Sequence, residues 1–214
     1  KIKNSSLVNK LVNSYSFLNE TGYITDSNKE ISEIDRTLLS KKGLMASTVN
    51  ECNEILLVEL IESQILNDLQ FEDIFALLSM FVDEKTEDEI ILEDLEIPYD
   101  LKLIIQKIEN MNNNLYRIAL TNNLDFDCIL SRAFVQSSYM WASQIDFKDI
   151  FSKCEGNIYE GNFVKNIIKV LNICNELVLA CEITGNIKIP EILENIESKI
   201  LRDIVSFESI YLHE

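Results

Sequence analysis

The sequence predicts an all-α helical bundle, and three observations carry that prediction. Only five glycines and two prolines occur in 214 residues, so the chain lacks the turn formers that β-rich folds need. Apolar residues recur at steps of three and four through most of the chain, the spacing of one helical face. The clearest instance is residues 157–181, where Phe163, Ile167, Val170, Leu171, Cys174, Leu177, Val178 and Cys181 make a single stripe. This stretch reads as a long central helix, with Asn157 as N-cap and Glu160 reaching back to it in a capping box. Its other face carries Lys165, Lys169, Asn172 and Glu176. One face is built for burial, and the other is polar enough to touch something.

The remaining elements follow in order. Residues 5–24 predict an amphipathic helix whose stripe is Leu7, Val8, Leu11, Tyr15 and Leu18, stopped by Gly22. Residues 23–39 are polar and read either as a short extended pair or as a loop. Ser40-Lys41-Lys42-Gly43-Leu44-Met45-Ala46 reads as a turn around Gly43. Residues 47–66 return to helical spacing through Val49, Ile55, Leu56, Leu60 and Ile61, with Glu51 and Glu54 early, where the helix dipole favours them. Residues 70–82 are apolar nearly all round, which places a shorter helix in the middle of the core. The acidic stretch 83–96 reads as a solvated loop. Pro98 opens a helix running to about Asn112, after which Met111-Asn112-Asn113-Asn114 loosens the chain. Residues 126–143 predict a further helix with Ile129, Leu130, Ala133, Phe134, Met140 and Trp141, and 147–153 a short one. Gly185-Asn186 end the long helix, and Pro190 starts a last one towards Ile204. Neither a repeat nor a linker divides the chain.

Composition then narrows the function. Net charge is −17, from 36 carboxylates against 19 Lys plus Arg, which opposes a free-standing binder of nucleic acid. A few well-placed cations still suit a strand that something else holds. The five cysteines are scattered, without a C-x-x-C pair, and fit a reduced compartment better than a disulfide framework. No run reaches the length of a membrane span, no signal peptide is visible, and no membrane partner is expected. The chain opens inside a periodic segment, as expected for a piece of a longer protein.

Catalytic constellations are missing. The only histidine, His213, stands next to the C-terminus, which leaves no Ser-His-Asp or Cys-His arrangement. Zinc spacing, an EF-hand loop, a phosphate loop and a G-x-G-x-x-G run are likewise absent from the sequence. No catalytic residue and no metal site are expected, and the carboxylates read as solvated helix faces. Residues 147–153, a turn and the long helix have the layout of a helix-turn-helix, but 157–164 carry neither Arg nor Lys. Lys165 and Lys169 lie one turn apart and suit two adjacent phosphates or a stacked strand. Spacing alone reads them first as a solubilising face. Trp141 reads as core rather than a base-stacking ring, and Glu84-Lys85 as a solvated helix end.

Several blocks together resemble a known family. Ala76-Leu77-Leu78-Ser79-Met80-Phe81-Val82-Asp83-Glu84-Lys85 resembles the A-A-L-L-S-x-F-V-x-x-E-K signature of the DSHCT domain, the C-terminal helical domain of Ski-like and TRAMP-associated DExH-box RNA helicases. Lys42-Gly43-Leu44-Met45-Ala46 is similar to its K-G-R-x-A, and residues 54–61 to its E-L-L-L-T-E-L-I. Tyr139-Met140-Trp141-Ala142 with Phe147 and Ile150 resembles Y-x-W-A/C then F-x-x-I. Tyr159-Glu160-Gly161 is similar to Y/E-G-x-x-x-R, and residues 202–212 to R-D-I-V-F-A-A-S-L-Y-L. The blocks run in family order from about residue 40 to residue 212.

The resemblance implies a parent enzyme: an ATP-dependent RNA helicase moving three-prime to five-prime and feeding RNA to the exosome. Two RecA-like motor domains, which bind ATP and Mg, would lie N-terminal to this chain, leaving no cofactor here. Residues 1–24 would be the returning arm of an arch and 25–214 the helical bundle. The long helix would be a ratchet lining the channel for single-stranded RNA. The family's two ratchet arginines fall on Lys165 and Lys169 and a channel carboxylate on Glu84, so the resemblance turns the reading of the lysines towards RNA contact. Implied partners are single-stranded RNA, the motor domains, the exosome and TRAMP-like adaptor proteins. Thr184-Gly185-Asn186 and the ending after Tyr211-Leu212 lean towards the nuclear TRAMP type over the cytoplasmic Ski type. Lysine at both ratchet positions gives up the planar, bidentate grip of arginine. Val170-Leu171-Asn172-Ile173 replaces the family's continuing basic run, and Leu44 the arginine of K-G-R. A different reading remains beside it: an acidic helical scaffold that binds protein partners and does not touch RNA.

Overall fold

The computed structural model describes residues 2–25, 39–82, 90–126, 128–154 and 158–209, and the regular elements among them are helices. They are α1 (Ile2–Glu20), α2 (Lys41–Ala46), α3 (Glu54–Glu62), α4 (Phe71–Leu78), α5 (Tyr99–Thr121), α6 (Val135–Ala142), α7 (Phe147–Lys153), α8 (Glu160–Thr184), α9 (Lys188–Ile192), α10 (Ile196–Ile200) and α11 (Asp203–Ser209). The all-α expectation holds. Ile24 and Leu39 form an isolated antiparallel bridge, the extended alternative for that segment.

The core is built around α4. Phe71, Ile74, Phe75, Ala76, Leu77 and Leu78 are all buried, so the helix presents apolar atoms in every direction, as its composition predicts. Its main neighbour is α6, and it also packs on α8. The Asp73 carboxylate accepts the Gln70 N–H at 3.2 Å and closes the first turn. After α4 the chain tightens into a 3-10 turn, Ser79–Phe81, where the buried Ser79 hydroxyl donates to the Ala76 carbonyl. The A-L-L-S-x-F-V block therefore makes core. Its last members, Asp83, Glu84 and Lys85, lie outside the described residues.

Gly43 does not make a turn. It lies inside α2, whose N-cap Ser40 accepts the Gly43 N–H. A Cβ at Gly43 would stand 2.4 Å from the Tyr23 carbonyl oxygen, so the absence of a side chain is what lets the two backbones approach. Lys42 beside it reaches the Thr21 carbonyl at 3.0 Å, pairs with Glu59 and covers the Tyr23 ring. The Tyr23 hydroxyl donates to the Ile55 carbonyl and to Glu59. Burial first, then the Glu59 charge, pushes that phenol well above its ordinary value.

Several boundaries move for non-local reasons. In α1, Phe17 is buried and Leu18 packs on the core, but Leu7 (65% exposed), Val8 (56%) and Leu11 (50%) meet solvent. The helix expected over 47–66 is shorter: it starts at Glu54, capped by the Asn53 side chain, and ends at Glu62. Val49 is buried from the preceding loop instead. In the segment read as a solvated acidic loop, Leu92 and Leu95 are buried and a 3-10 turn covers Leu92–Asp94.

α5 runs straight through the Asn tract to Thr121. Asn112 is part of the reason, since its Nδ2 donates to the Cys128 carbonyl at 2.8 Å and ties the helix to the next segment. Pro98 sits at the N-cap rather than inside the first turn. α6 begins only at Val135, because 128–132 runs extended and Ser131 N–H bonds to the Met80 carbonyl. Ile129, expected on the helix stripe, is exposed. The last expected helix is three short ones, broken by the left-handed Asn195 (φ 59°) and again before the left-handed Asp203 (φ 47°).

Candidate functional site

The site begins with what fixes α8. Phe163 is buried in its first turns, with its ring edge-on to Trp141 at 5.4 Å and 82°, and 5.4 Å from Phe147. Trp141 is fully buried, donates from Nε1 to the Ile200 carbonyl, and carries the Arg202 guanidinium 3.6 Å from its ring centroid. Arg202 Nη2 also donates to the Trp141 and Ile145 carbonyls. Trp141 is core, as its neighbours in sequence predict. The Y-x-W-A, F-x-x-I and R-D-I blocks thus converge on one clamp around the start of α8.

The helix begins at Glu160, with Tyr159 at the N-cap and no capping side-chain bond. The expected cap, Asn157, lies outside the described residues. At the other end Gly185 adopts φ +72°, the left-handed stop read from the sequence. Burial of α8 is wider than one stripe: Val164, Asn166, Ile173 and Ala180 are buried together with the expected residues, while Val178 is only half-buried.

What remains is a narrow polar lane. Lys165 and Asn172 are exposed and Lys169 is half-buried between them. Side chains four apart on a helix have Cβ atoms about 6 Å from each other. Two ammonium groups at that spacing can meet neighbouring phosphates of one strand. Glu176, the fourth residue of the lane, is taken up by the fold. Its carboxylate accepts the Asn50 and Glu51 N–H groups, both at 2.9 Å, and the Asn50 side-chain amide at 3.4 Å. That bond pins the loop between α2 and α3 onto α8 and closes the lane one turn beyond Asn172. Cys52, next in this loop, has its thiol pushed up to about 12, first by burial and then by Glu176, with Lys169 opposing the rise. Lys169 therefore lies within electrostatic reach of the loop.

The third expected RNA contact, Glu84, lies outside the described residues, so the structure brings together Lys165 and Lys169 alone. Two features had no sequence signal strong enough to find them. Asn166 is buried, its Oδ1 accepting from Ser138 at 3.4 Å while its Nδ2 has no partner. Docking of Glu176 joins positions 126 residues apart, and only the polar class of Glu176 was visible. All five cysteines are free thiols. Among the described residues no group of three or more His, Cys, Asp or Glu is arranged to hold a metal ion, and no helix is long and apolar enough to cross a membrane.

Comparison with known proteins fits the same architecture. The chain is 27% identical over 204 residues to the DExH-box ATP-dependent RNA helicase DExH9 of Arabidopsis thaliana, covering 91% of this chain and 19% of that protein. It is 32% identical over 179 residues to the antiviral helicase SKI2 of Saccharomyces cerevisiae, covering 80% of this chain and 14% of the relative. With the exosome RNA helicase MTR4 of Homo sapiens it shares 23% identity over 182 residues, 82% of this chain and 17% of the relative. The chain spans less than a fifth of the length of each. The model of the DSHCT (NUC185) domain matches residues 36–208, which takes in α2 to α10 and most of α11. With that match over most of its length, the chain belongs to the DSHCT family.

Proposed function

We propose that this chain is the C-terminal helical domain of an ATP-dependent RNA helicase, and that its α8 lines the path of a single RNA strand. The observation that carries the reading is the exposed Lys165–Lys169–Asn172 lane on a helix whose other sides are held in the core. A rigid helix keeps two cations at fixed spacing, so phosphates passing along it meet the same geometry at each step. The chain supplies no nucleotide-binding loop, so ATP and Mg would be bound by RecA-like motor domains of the same protein. Residues 1–24 act as the returning arm of an arch and 25–214 as the bundle. Glu84 completes the contact set on the strand.

The relatives' names, an exosome RNA helicase among them, support a role in exosome-directed RNA processing with adaptor proteins, in the nucleus for a TRAMP-type enzyme. Lysine in place of arginine makes the grip electrostatic more than bidentate, and correspondingly sensitive to salt. The test is unwinding and RNA-stimulated ATPase of the full-length helicase, wild type against Lys165→Ala/Lys169→Ala. Unwinding should fall while ATPase persists, because the motor is untouched and its coupling to the strand is lost. Unchanged unwinding would overturn the RNA role and leave α8 as scaffold.

A further inference from the structure

At the opposite end of α8 stands a second polar feature that RNA contact does not use. A cleft of about 400 Å³ separates the end of α3 and its following 3-10 turn from the α8–α9 turn. Two helices end at it: α3 at Glu62 and α8 at Thr184. Each helix C-terminus carries roughly half a negative charge, so two that converge favour a cation between them. Gln64, in a left-handed conformation (φ 58°), turns the chain so that Ile65–Asp68 forms one wall. Asn186 ties the walls together, donating from Nδ2 to Asn67 Oδ1 at 2.9 Å while its own Oδ1 accepts the Lys188 N–H at 3.1 Å.

Charge around the cleft has the same sign as the helix ends. Glu62 and Asp68 stand against a single cation, Lys188, whose ammonium is 3.6 Å from Asp68. Beside them Ile187 is 67% exposed, an apolar ledge next to an acidic hollow. We propose that this cleft is a docking site for a partner protein, seating one arginine or lysine side chain while a neighbouring apolar residue of the same segment covers Ile187. A chain of net charge −17 attracts basic partners from a distance, and the helix ends fix where the charge is read. The nineteen steps from Lys165 to Thr184, at about 1.5 Å each, put the cleft about 28 Å from the polar lane. A partner docked here leaves the lane open, so this inference stands whether or not α8 contacts RNA.

The test is an amide-resolved NMR titration of the 214-residue chain with acetyl-Arg-Ile-amide and with its neutral isostere acetyl-citrulline-Ile-amide. The arginine probe should shift the amides of Gln64, Gly185 and Ile187, and the citrulline probe should not. Glu62→Gln, an exposed substitution, should weaken the arginine probe about three-fold, and Ile187→Ser should weaken it as well. Equal response to the two probes, shifts centred elsewhere on the chain, or affinity unchanged in Glu62→Gln would overturn the assignment.

Discussion

Helices α4 and α8 both carry blocks of the family signature, yet their exposure is opposite. α4 has no exposed residue, and its apolar side chains face α6 and α8 at once. α8 is three times as long and buries most of its circumference, but keeps Lys165, Lys169 and Asn172 turned away from the core. A signature is therefore not one kind of information: in α4 it marks volume that must be filled, and at the start of α8 it marks the clamp that holds a polar lane steady. The two helices respond to substitution through different terms. Loss from α4 is a cavity, while loss from the lane leaves packing intact.

The largest effect that separates them is Phe75→Ala in α4. Removing a fully buried ring there should cost about 3–5 kcal/mol in urea unfolding; a cost below about 1 kcal/mol would mean that α4 is not the centre of the core. Gly43→Ala should follow at about 1–3 kcal/mol, because its new Cβ meets backbone at Tyr23 rather than a side chain that can move. Glu176→Gln sharpens the comparison inside α8 itself. It keeps the shape but loses the charge that two backbone N–H groups bond, and should cost about 1 kcal/mol, with faster amide exchange at Asn50 and Glu51.

The buried side of α8 also has a pH signature. Burial pushes the Cys181 thiol up to about 12, and that of Cys154 near the helix start to about 11, from an ordinary 9.0. Each contributes stability that is complete below pH 9 and lost as pH rises through its raised value, because the unfolded chain releases the proton first. Unfolding free energy should decline from pH 9 upwards, and less steeply in Cys181→Ala once its lower starting stability is subtracted. The smallest effect belongs to the lane: Lys165→Ala/Lys169→Ala should shift stability by about 0.5 kcal/mol or less. A large loss of stability in that pair would erase the contrast with α4.

Where structure is local, the sequence was legible. The all-round apolarity of 70–82, the stop at Gly185, the bounds of the 147–153 helix and the buried stripe of α8 each depend on residues within a turn or two of one another. Boundaries failed where a distant partner intervened. The tract Asn112-Asn113-Asn114 lowers helix propensity, yet Asn112 finds the Cys128 carbonyl and α5 continues to Thr121. Residues 126–134 keep helical spacing, yet Ser131 bonds to Met80 and the helix waits until Val135.

The sequence by itself determined the helical class, the central place of α4, and the choice of Lys165 and Lys169 as the cations of the long helix. Those follow from periodicity and residue type, which any local window contains. Tertiary structure alone decided that Gly43 is a contact point between backbones and that Glu176 leaves the polar lane to hold a loop. It also decided that α3 and α8 end at one cleft. These depend on pairs of residues far apart in the chain, and periodicity says which face a side chain takes but not what stands opposite it.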